Sequence, residues 1–364
     1  MPVRHDDPPR HLGRADDEAH RYDALLVQGF GGPEGPDDVL PFLERVTAGR
    51  GIPPGRLREV GAHYDLFGGV SPINAQTRAL VGALRDEVAR RGLGLPVHWG
   101  NRNAAPFLDD VVADLAGAGH RRVLTLPTAT FASYSGCRQY REDLARAAMA
   151  CGAAAPQFDR IRLAYNTPGF IRPMAVQLTA ALAGVPAGRR GEATILFSAH
   201  SIPVAMADTC DYEAQLREAS CLVMAAADLS GRAWDLVWQS RSGPPTVAWL
   251  EPDIADRLAD LAAAGVRDVV VVPIGFVSDH MEVLFDLDVE ARAVAGELGL
   301  HLVRARTVGV DPAYVGQLVD LVEERMAAAP TRPALGVRGP SHDVCAATCC
   351  PNLRHPGTPA AAQA

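Results

Sequence analysis

Two stretches of the chain carry side chains able to do acid–base or metal chemistry. In "LFSAHSIP", His200 closes an apolar run between Ser198 and Ser201. A strand histidine is often a core residue bonded to a backbone carbonyl. At the C-terminal end of a buried strand, however, it stands where ligand sites of α/β sheets are built. The second stretch, "IGFVSDHMEVLFDLDVEA", holds Asp279, His280, Glu282, Asp286 and Glu290. The four carboxylates are three, four and four residues apart, which on a helix aligns them along one ridge. A solvated acidic face is the ordinary meaning of such a row. Its position directly after an apolar strand, and the histidine within it, argue instead for a path for protons or a hydrated divalent cation. Carboxylate and imidazole donors suit Fe(II) and its first-row neighbours.

A third group is made of sulfur. Cys345, Cys349 and Cys350 crowd into "SHDVCAATCCPN", although the whole chain has only seven cysteines. Four thiolates hold a [2Fe–2S] cluster or a structural zinc, so a fourth must come from Cys137, Cys151, Cys210 or Cys221. Cys210 and Cys221 read as packing or surface thiols. The spacing itself does not separate zinc from iron–sulfur.

The elements that must position these groups follow from hydrophobic periodicity. Strands are expected over 24–30, 96–101, 122–128 and 160–166, then over 193–200, 234–240, 268–276 and 300–306. Helical stretches lie between them, at 73–91, 138–150, 170–184, 211–228, 281–298 and 311–328. Near-continuous apolar strands alternating with helices imply an α/β fold with parallel sheets covered on both faces. "LLVQGFGGP" and "ILFSAHSIP" each run from an apolar strand into small residues and proline. This echo predicts two similar halves whose strand ends face a shared cleft. The expected organisation is a polar, flexible N-terminal tail over 1–21, domains over 22–162 and 163–328, and a Cys-containing tail over 329–364. The last helix should tie the halves together.

Around that cleft, "GFGGPEGPDD", "YDLFGGVSPIN" and "SRSGPPTVAWLEPDI" predict irregular turns with aromatic walls and small-residue clearances. Arg102 in "WGNRNAAPF" is a candidate carboxylate clamp.

Composition narrows the chemistry. Among 364 residues, 48% are hydrophobic and 21% charged, as in a globular protein. The net charge of −8 and the lack of a basic block argue against wholesale nucleic-acid binding. All 35 basic residues are Arg. Without lysine there is no Schiff-base chemistry and no ordinary phosphate-binding P-loop. The longest apolar runs fall short of the ~20 residues of a membrane-spanning helix. With no apolar h-region near the start, a cytoplasmic location is expected.

Taken together, "LFSAHSIP", "VPIGFVSDHMEVLFDLDVEA", "LLVQGFGGPEGPDDVLPFLERV", "GGVSPIN" and "QSRSGPPTVAWLEPDI" resemble the ordered motif blocks of the ferrochelatases, over roughly residues 22–328. The resemblance implies two Rossmann-like domains, each a four-stranded parallel sheet, around a porphyrin cleft, and insertion of Fe2+ into a porphyrin. His200 is similar to the family's essential histidine and Glu282 to its acidic partner across the cleft. The pair would coordinate the incoming Fe2+ or accept pyrrole protons. Asp279, His280, Asp286 and Glu290 resemble the family's acidic row, which lies on a helix with a π-type irregularity. Ser71 and Tyr140 match porphyrin-contacting positions of the bacterial coproporphyrin branch, Arg102 is a candidate propionate partner, and Trp249 matches a cleft-wall tryptophan. Phe30 stands where that branch often has tyrosine, so an axial contact to the metal is lost there.

The resemblance also implies coproporphyrin III as substrate, with protoporphyrin IX as the alternative. It places Cys137 with Cys345, Cys349 and Cys350 as ligands of a [2Fe–2S] cluster, zinc being the other reading. A non-catalytic tetrapyrrole or metal carrier is the reading from a different class. An iron donor and haem-pathway enzymes are possible partners, and a monomer is favoured.

Overall fold

The computed structural model describes residues 22–361, so the expected tail over 1–21 lies outside the described residues. The first half runs β1 (Ala24–Gly29), α1 (Pro36–Val46), α2 (Pro54–Asp65), α3 (Ile73–Arg90), β2 (Val97–Asn101), α4 (Leu108–Gly117), β3 (Arg122–Pro127), α5 (Gln139–Cys151) and β4 (Gln157–Arg160). The second half runs α6 (Pro168–Ala183), β5 (Thr194–His200), α7 (Val204–Ala207), α8 (Tyr212–Ala226), β6 (Trp234–Gln239), α9 (Ile254–Ala263) and β7 (Asp268–Val272). It ends with α10 (Met281–Val283), α11 (Arg292–Glu297), β8 (His301–Arg304) and α12 (Pro312–Met326). π-Helical turns occupy Tyr134–Arg138 and Leu284–Ala291.

All eight strands pair in parallel, in the orders β2-β1-β3-β4 and β6-β5-β7-β8. The two sheets share one topology, as the sequence echo suggests. The central strands β1, β3, β5 and β7 are buried on both faces, because parallel crossovers put helices on either side. In β1, Leu25 and Val27 enter a core shared with α3, α6 and α12, while Ala24 and Leu26 pack against α4 and α5. In β5, Ile195, Phe197 and Ala199 join that same shared core, and Leu196 faces α9 and α11. One contiguous apolar cluster therefore spans both sheets, with α12 packed on α3 and α6. Fully burying each Leu, Ile or Phe in it contributes about 1.5–3 kcal/mol.

Three elements differ from expectation by more than two residues. The fourth strand is Gln157–Arg160, not 160–166. Arg160 at its end and Arg162 beyond it are buried with their guanidiniums turned to polar partners, so "RIRLAYN" is an interior crossing that leaves the sheet. β7 stops at Val272, before Pro273, which has no N–H to donate. The helix expected over 281–298 is interrupted by its π-helical middle.

From 327 to 361 the chain forms no helix or strand, yet it is strapped to the body by donors bonded to its carbonyls. Asn166 donates to Leu335 and Gly339, Arg138 to Ala347 and Thr358, and Arg141 to Ala361. Arg162 donates two hydrogen bonds to Glu324 in a pair 1% and 5% exposed, and a third to Pro333 O.

Candidate metal-insertion site and sulfur site

β5 delivers His200 to the C-terminal edge of its sheet, at the switch point where the chain leaves β5 for β6 on one side and β7 on the other. Gly275, in the turn after β7, crosses directly against this strand end. A Cβ there would lie 2.5 Å from that of Ala199, so a side chain at 275 would push β5 or the turn away. Tyr212 Oη donates to the His200 carbonyl, 3.1 Å away.

The imidazole is fixed in one tautomer. Its Nδ1 is in close contact with the Ser201 carbonyl, which can only accept, so Nδ1 carries the hydrogen and Nε2 carries the free lone pair. That Nε2 faces Glu282 Oε2 at 3.9 Å, both side chains being partly solvent-exposed. Glu282 sits in the first turn of α10. Its N–H donates to His280 Nδ1 at 3.2 Å, and its carbonyl accepts from Gln239 Nε2 at 2.6 Å. Gln239 is in turn the β6 residue paired with His200.

Glu282, Asp286 and Glu290 form a row. The neighbouring carboxylates of Glu282 and Glu290 both oppose ionisation of Asp286. Burial is the larger cause, and together these raise its pKa to about 7 although the Ser240 hydroxyl hydrogen-bonds to it. Ser240 takes up a left-handed backbone, φ 62°, to reach the carboxylate.

Asp279 does not join this ridge. It precedes the helix, and its carboxylate accepts from Arg304 at 2.9 Å, in a network shared with Asp288. His280 spends its Nδ1 lone pair capping α10, so its Nε2 carries the hydrogen while the ring is neutral. Burial holds its pKa below the usual imidazole range.

The aromatic and polar positions fall in two groups. Phe30, Ser71 and Trp249 flank strand ends. Phe30 is edge-on to Phe42, Ser71 is buried against Gly32, and Trp249 bridges Pro203 just after His200. The Gly68–Gly69 turn is needed here, because Gly69 has φ 76° and lies 2.5 Å from Pro36 backbone atoms at its Cβ position. Arg102 and Tyr140 are instead committed to each other. The guanidinium stacks 4.3 Å from the Tyr140 ring centroid and pairs with Asp143, and Tyr140 is buried. Arg102 Nη2 is buried without a hydrogen-bond partner.

Several residues near the acidic row escaped the sequence reading. Tyr64 is deprotonated less readily than an ordinary phenol because of burial and the charges of Glu282 and Asp286. His63 stacks on Phe285 with centroids 4.0 Å apart, linking α2 to the π-helical turn. Tyr64 lies in the quoted "YDLFGG", so an aromatic next to the glycine turn was the available signal. Gln76, Gln239 and Ser240 had none.

The sulfur site lies elsewhere. Cys137, on the first π-helical turn, is buried with Cys345 and Cys350, and no cysteine is in a disulfide. Cys349 Sγ is 3.8 Å from Cys350 Sγ. Hydrogen bonding to Cys137 holds Cys345 below the usual thiol range, and Cys345 and Cys350 bring Cys349 down to about 4. Cys350 is pushed up by Cys137 and Cys349. The buried Arg160 guanidinium donates to Cys137 Sγ at 2.8 Å. Four converging sulfurs with one buried cation form a donor set that fits a metal–sulfur group. His342, which the sequence reading passed over, places Nε2 3.4 Å from Cys345 Sγ and 3.8 Å from Cys349 Sγ. These three alone could hold a metal ion. Cys151, Cys210 and Cys221 are not part of this group, although Cys210 lies near enough to feel its charge.

Twin parallel sheets with an imidazole and a carboxylate facing each other at the switch point of the second define a two-sheet metal chelatase, a lyase. The family model for ferrochelatase matches residues 22–326. The chain therefore belongs to the ferrochelatase family. It is 52% identical over 350 residues to a coproporphyrin III ferrochelatase of Streptomyces griseus, covering 91% of this chain and 93% of the relative. It is 48% identical over 331 residues to a ferrochelatase of Rhodopirellula baltica, covering 90% and 93%. Among solved structures, a multi-domain Deinococcus radiodurans protein with structural similarity to chelatases superposes with a TM-score of 0.50 at 16% identity. That match covers 87% of this chain and 56% of the other, and it bears on the fold alone.

Proposed function

We propose that this ferrochelatase inserts Fe2+ into coproporphyrin III, releasing two protons, in haem biosynthesis. The observation that carries the reading is the fixed lone pair of His200 Nε2 turned toward the Glu282 carboxylate. Insertion requires two pyrrole N–H bonds to break and four Fe–N bonds to replace water on the ion. His200 Nε2, partly exposed to solvent, takes each pyrrole proton in turn and passes it to water. Glu282 binds the arriving cation, and Asp286 and Glu290 form the path behind it. Asp279 and His280 support this row through their bonds to Arg304 and to the start of α10. Phe30, Ser71 and Trp249 line the macrocycle. Arg102 and Tyr140 sit behind that lining, with Arg102 Nε bound to Asp143 and its Nη atoms left for a propionate.

The names of the relatives support coproporphyrin III over protoporphyrin IX. No helix among the described residues is long and apolar enough to cross a membrane, which accords with a cytoplasmic enzyme acting on a tetracarboxylate. The reading divides the body into domains 22–162 and 163–328.

Cys137, Cys345, Cys349 and Cys350 would hold a [2Fe–2S] cluster, a group able to carry one electron. The reaction begins and ends with Fe2+, so its role here is to staple the tail to the first domain. His342 favours a second reading, zinc on His342, Cys345 and Cys349. Visible absorption of anaerobically purified protein separates the two, zinc being colourless.

The substrate is tested by comparing kcat/KM for coproporphyrin III and protoporphyrin IX. Higher kcat/KM with coproporphyrin III is expected. Preference for protoporphyrin IX would reverse the substrate, and tight porphyrin binding without turnover would leave a carrier.

A further inference from the structure

The turn that carries Glu282 is held from both sheets. On its own side, Gln239 takes the Glu282 carbonyl and His280 takes the Glu282 N–H. From the opposite half, Gln76 on α3 reaches across to Asp279. Its Nε2 donates to the Asp279 carbonyl at 2.8 Å, and its Oε1 accepts from the Asp279 N–H at 2.8 Å. One amide thus satisfies both polar atoms of a single backbone residue, as a neighbouring strand would. Such a two-point contact resists sliding as well as separation.

The surroundings make this clasp informative. α3 starts directly after Ser71 and Pro72, a stretch proposed to line the porphyrin. Beside the clasp the halves do not close. A cavity of ≈ 230 Å³ remains between Ile73, Gln76 and Thr77 on one side and Val277, Ser278 and Val310 on the other. The halves are secured independently elsewhere. Arg91 on α3 bonds Asp320, Glu323 and the Gly316 carbonyl of α12, and the shared core runs beneath. The fold therefore does not need Gln76, while the position of the Asp279–Glu282 turn relative to α3 does.

We infer that Gln76 is a positioning residue for metal insertion: its clasp on Asp279 sets how far the Glu282 carboxylate stands from the porphyrin-lining start of α3. The inference rests on Glu282 acting at the incoming metal. A small displacement of a reacting group is costly, so removal of the clasp should act on the insertion step rather than on porphyrin affinity.

The test measures Zn2+ insertion into coproporphyrin III by full-length protein carrying Gln76→Ala, Gln76→Glu or Glu282→Gln, with porphyrin binding and Tm recorded separately. Gln76→Glu keeps the shape and the acceptor for Asp279 N–H but cannot donate to the carbonyl. The expected result for Gln76→Ala is a kcat about tenfold lower and a raised KM for Zn2+. Gln76→Glu should fall between it and the wild type, with coproporphyrin binding and Tm near wild type for both. Wild-type kcat and metal KM in Gln76→Ala, alongside an inactive Glu282→Gln, would overturn the role of Gln76. A lowered Tm with unchanged kcat would also overturn it, leaving a structural contact only. Full activity of Glu282→Gln would instead remove the reading on which the inference rests.

Discussion

His200 Nε2 and Glu282 Oε2 stand 3.9 Å apart, with the imidazole hydrogen held on the far side of the ring by the Ser201 carbonyl. That separation is too long for a hydrogen bond. It is within reach of a shared ion, since metal–nitrogen and metal–oxygen bonds of about 2.0–2.2 Å can span it. An imidazole with a fixed tautomer beside a carboxylate can divide the work: in the proposed mechanism one receives a proton while the other receives the cation.

Asp286 should titrate near neutrality and leave a mark on stability. Its folded-state pKa, about 7, is raised from the usual aspartate value of 3.8, chiefly by burial. The folded protein then holds a proton that the unfolded chain has lost between these two values, so stability falls as pH rises from about 4 toward 7. The slope approaches about 1.4 kcal/mol per pH unit at most. Denaturant unfolding of metal-free wild type and Asp286→Asn across pH 5 to 8 checks this. The wild type should lose stability relative to the variant as pH rises and level off above 7; parallel curves would refute the shift.

On the proposed cluster assignment, Cys137→Ser should loosen the tail as well as remove the cluster. The thiol sits among the three tail cysteines and accepts a bond from Arg160, which also donates to the carbonyls of His342 and Asp343. Loss of visible absorption together with faster amide exchange over residues 342–350 is the expected outcome. Unchanged exchange would mean that the arginine bonds alone hold the tail.

Gly275→Ala should move the end of β5. The new methyl would fall 2.5 Å from the Ala199 Cβ, one residue before His200. Overpacking of this kind costs about 1–3 kcal/mol. Thermal unfolding should show that loss, with kcat reduced more than porphyrin affinity, because the displaced group is the base.

Glu324→Gln should be among the most damaging single changes away from the site. It leaves the Arg162 guanidinium, 1% exposed as a side chain, without its counter-charge. Breaking such a pair from one side costs about 3–5 kcal/mol. The expected lowered Tm should come with normal kinetics in the folded fraction, measured well below the transition.

The architecture was legible because it rests on local, repetitive signals. Apolar runs such as "DVVVV" and "ILFSAH" place buried parallel strands, and His200 falls at the end of one by counting alone. The repeat of one topology in two sheets was likewise visible as an echo of strand, small residues and proline. The carboxylate spacing predicted a row, and Glu282, Asp286 and Glu290 form one. Asp279 departs because Arg304, distant in sequence, captures its charge, and no periodicity reports a partner on another strand. Arg102 looked like a free clamp for the same reason, since its pairing with Asp143 and Tyr140 is a tertiary event. β4 was misplaced because "RIRLAYN" has strand-like alternation, yet every residue of it is buried, the arginines included. Cys137 needed the fold to reach the tail thiols, whereas His342, three residues before Cys345, stood in the quoted stretch and was passed over.

The central claim is that His200 Nε2 receives a pyrrole proton beside a cation held by Glu282. Single-turnover Zn2+ insertion into bound coproporphyrin III by His200→Ala tests it most directly. The account predicts intact porphyrin binding and an insertion rate lower by about 10²–10⁴-fold, the usual contribution of a positioned base. An insertion rate equal to wild type with the same bound porphyrin would contradict it.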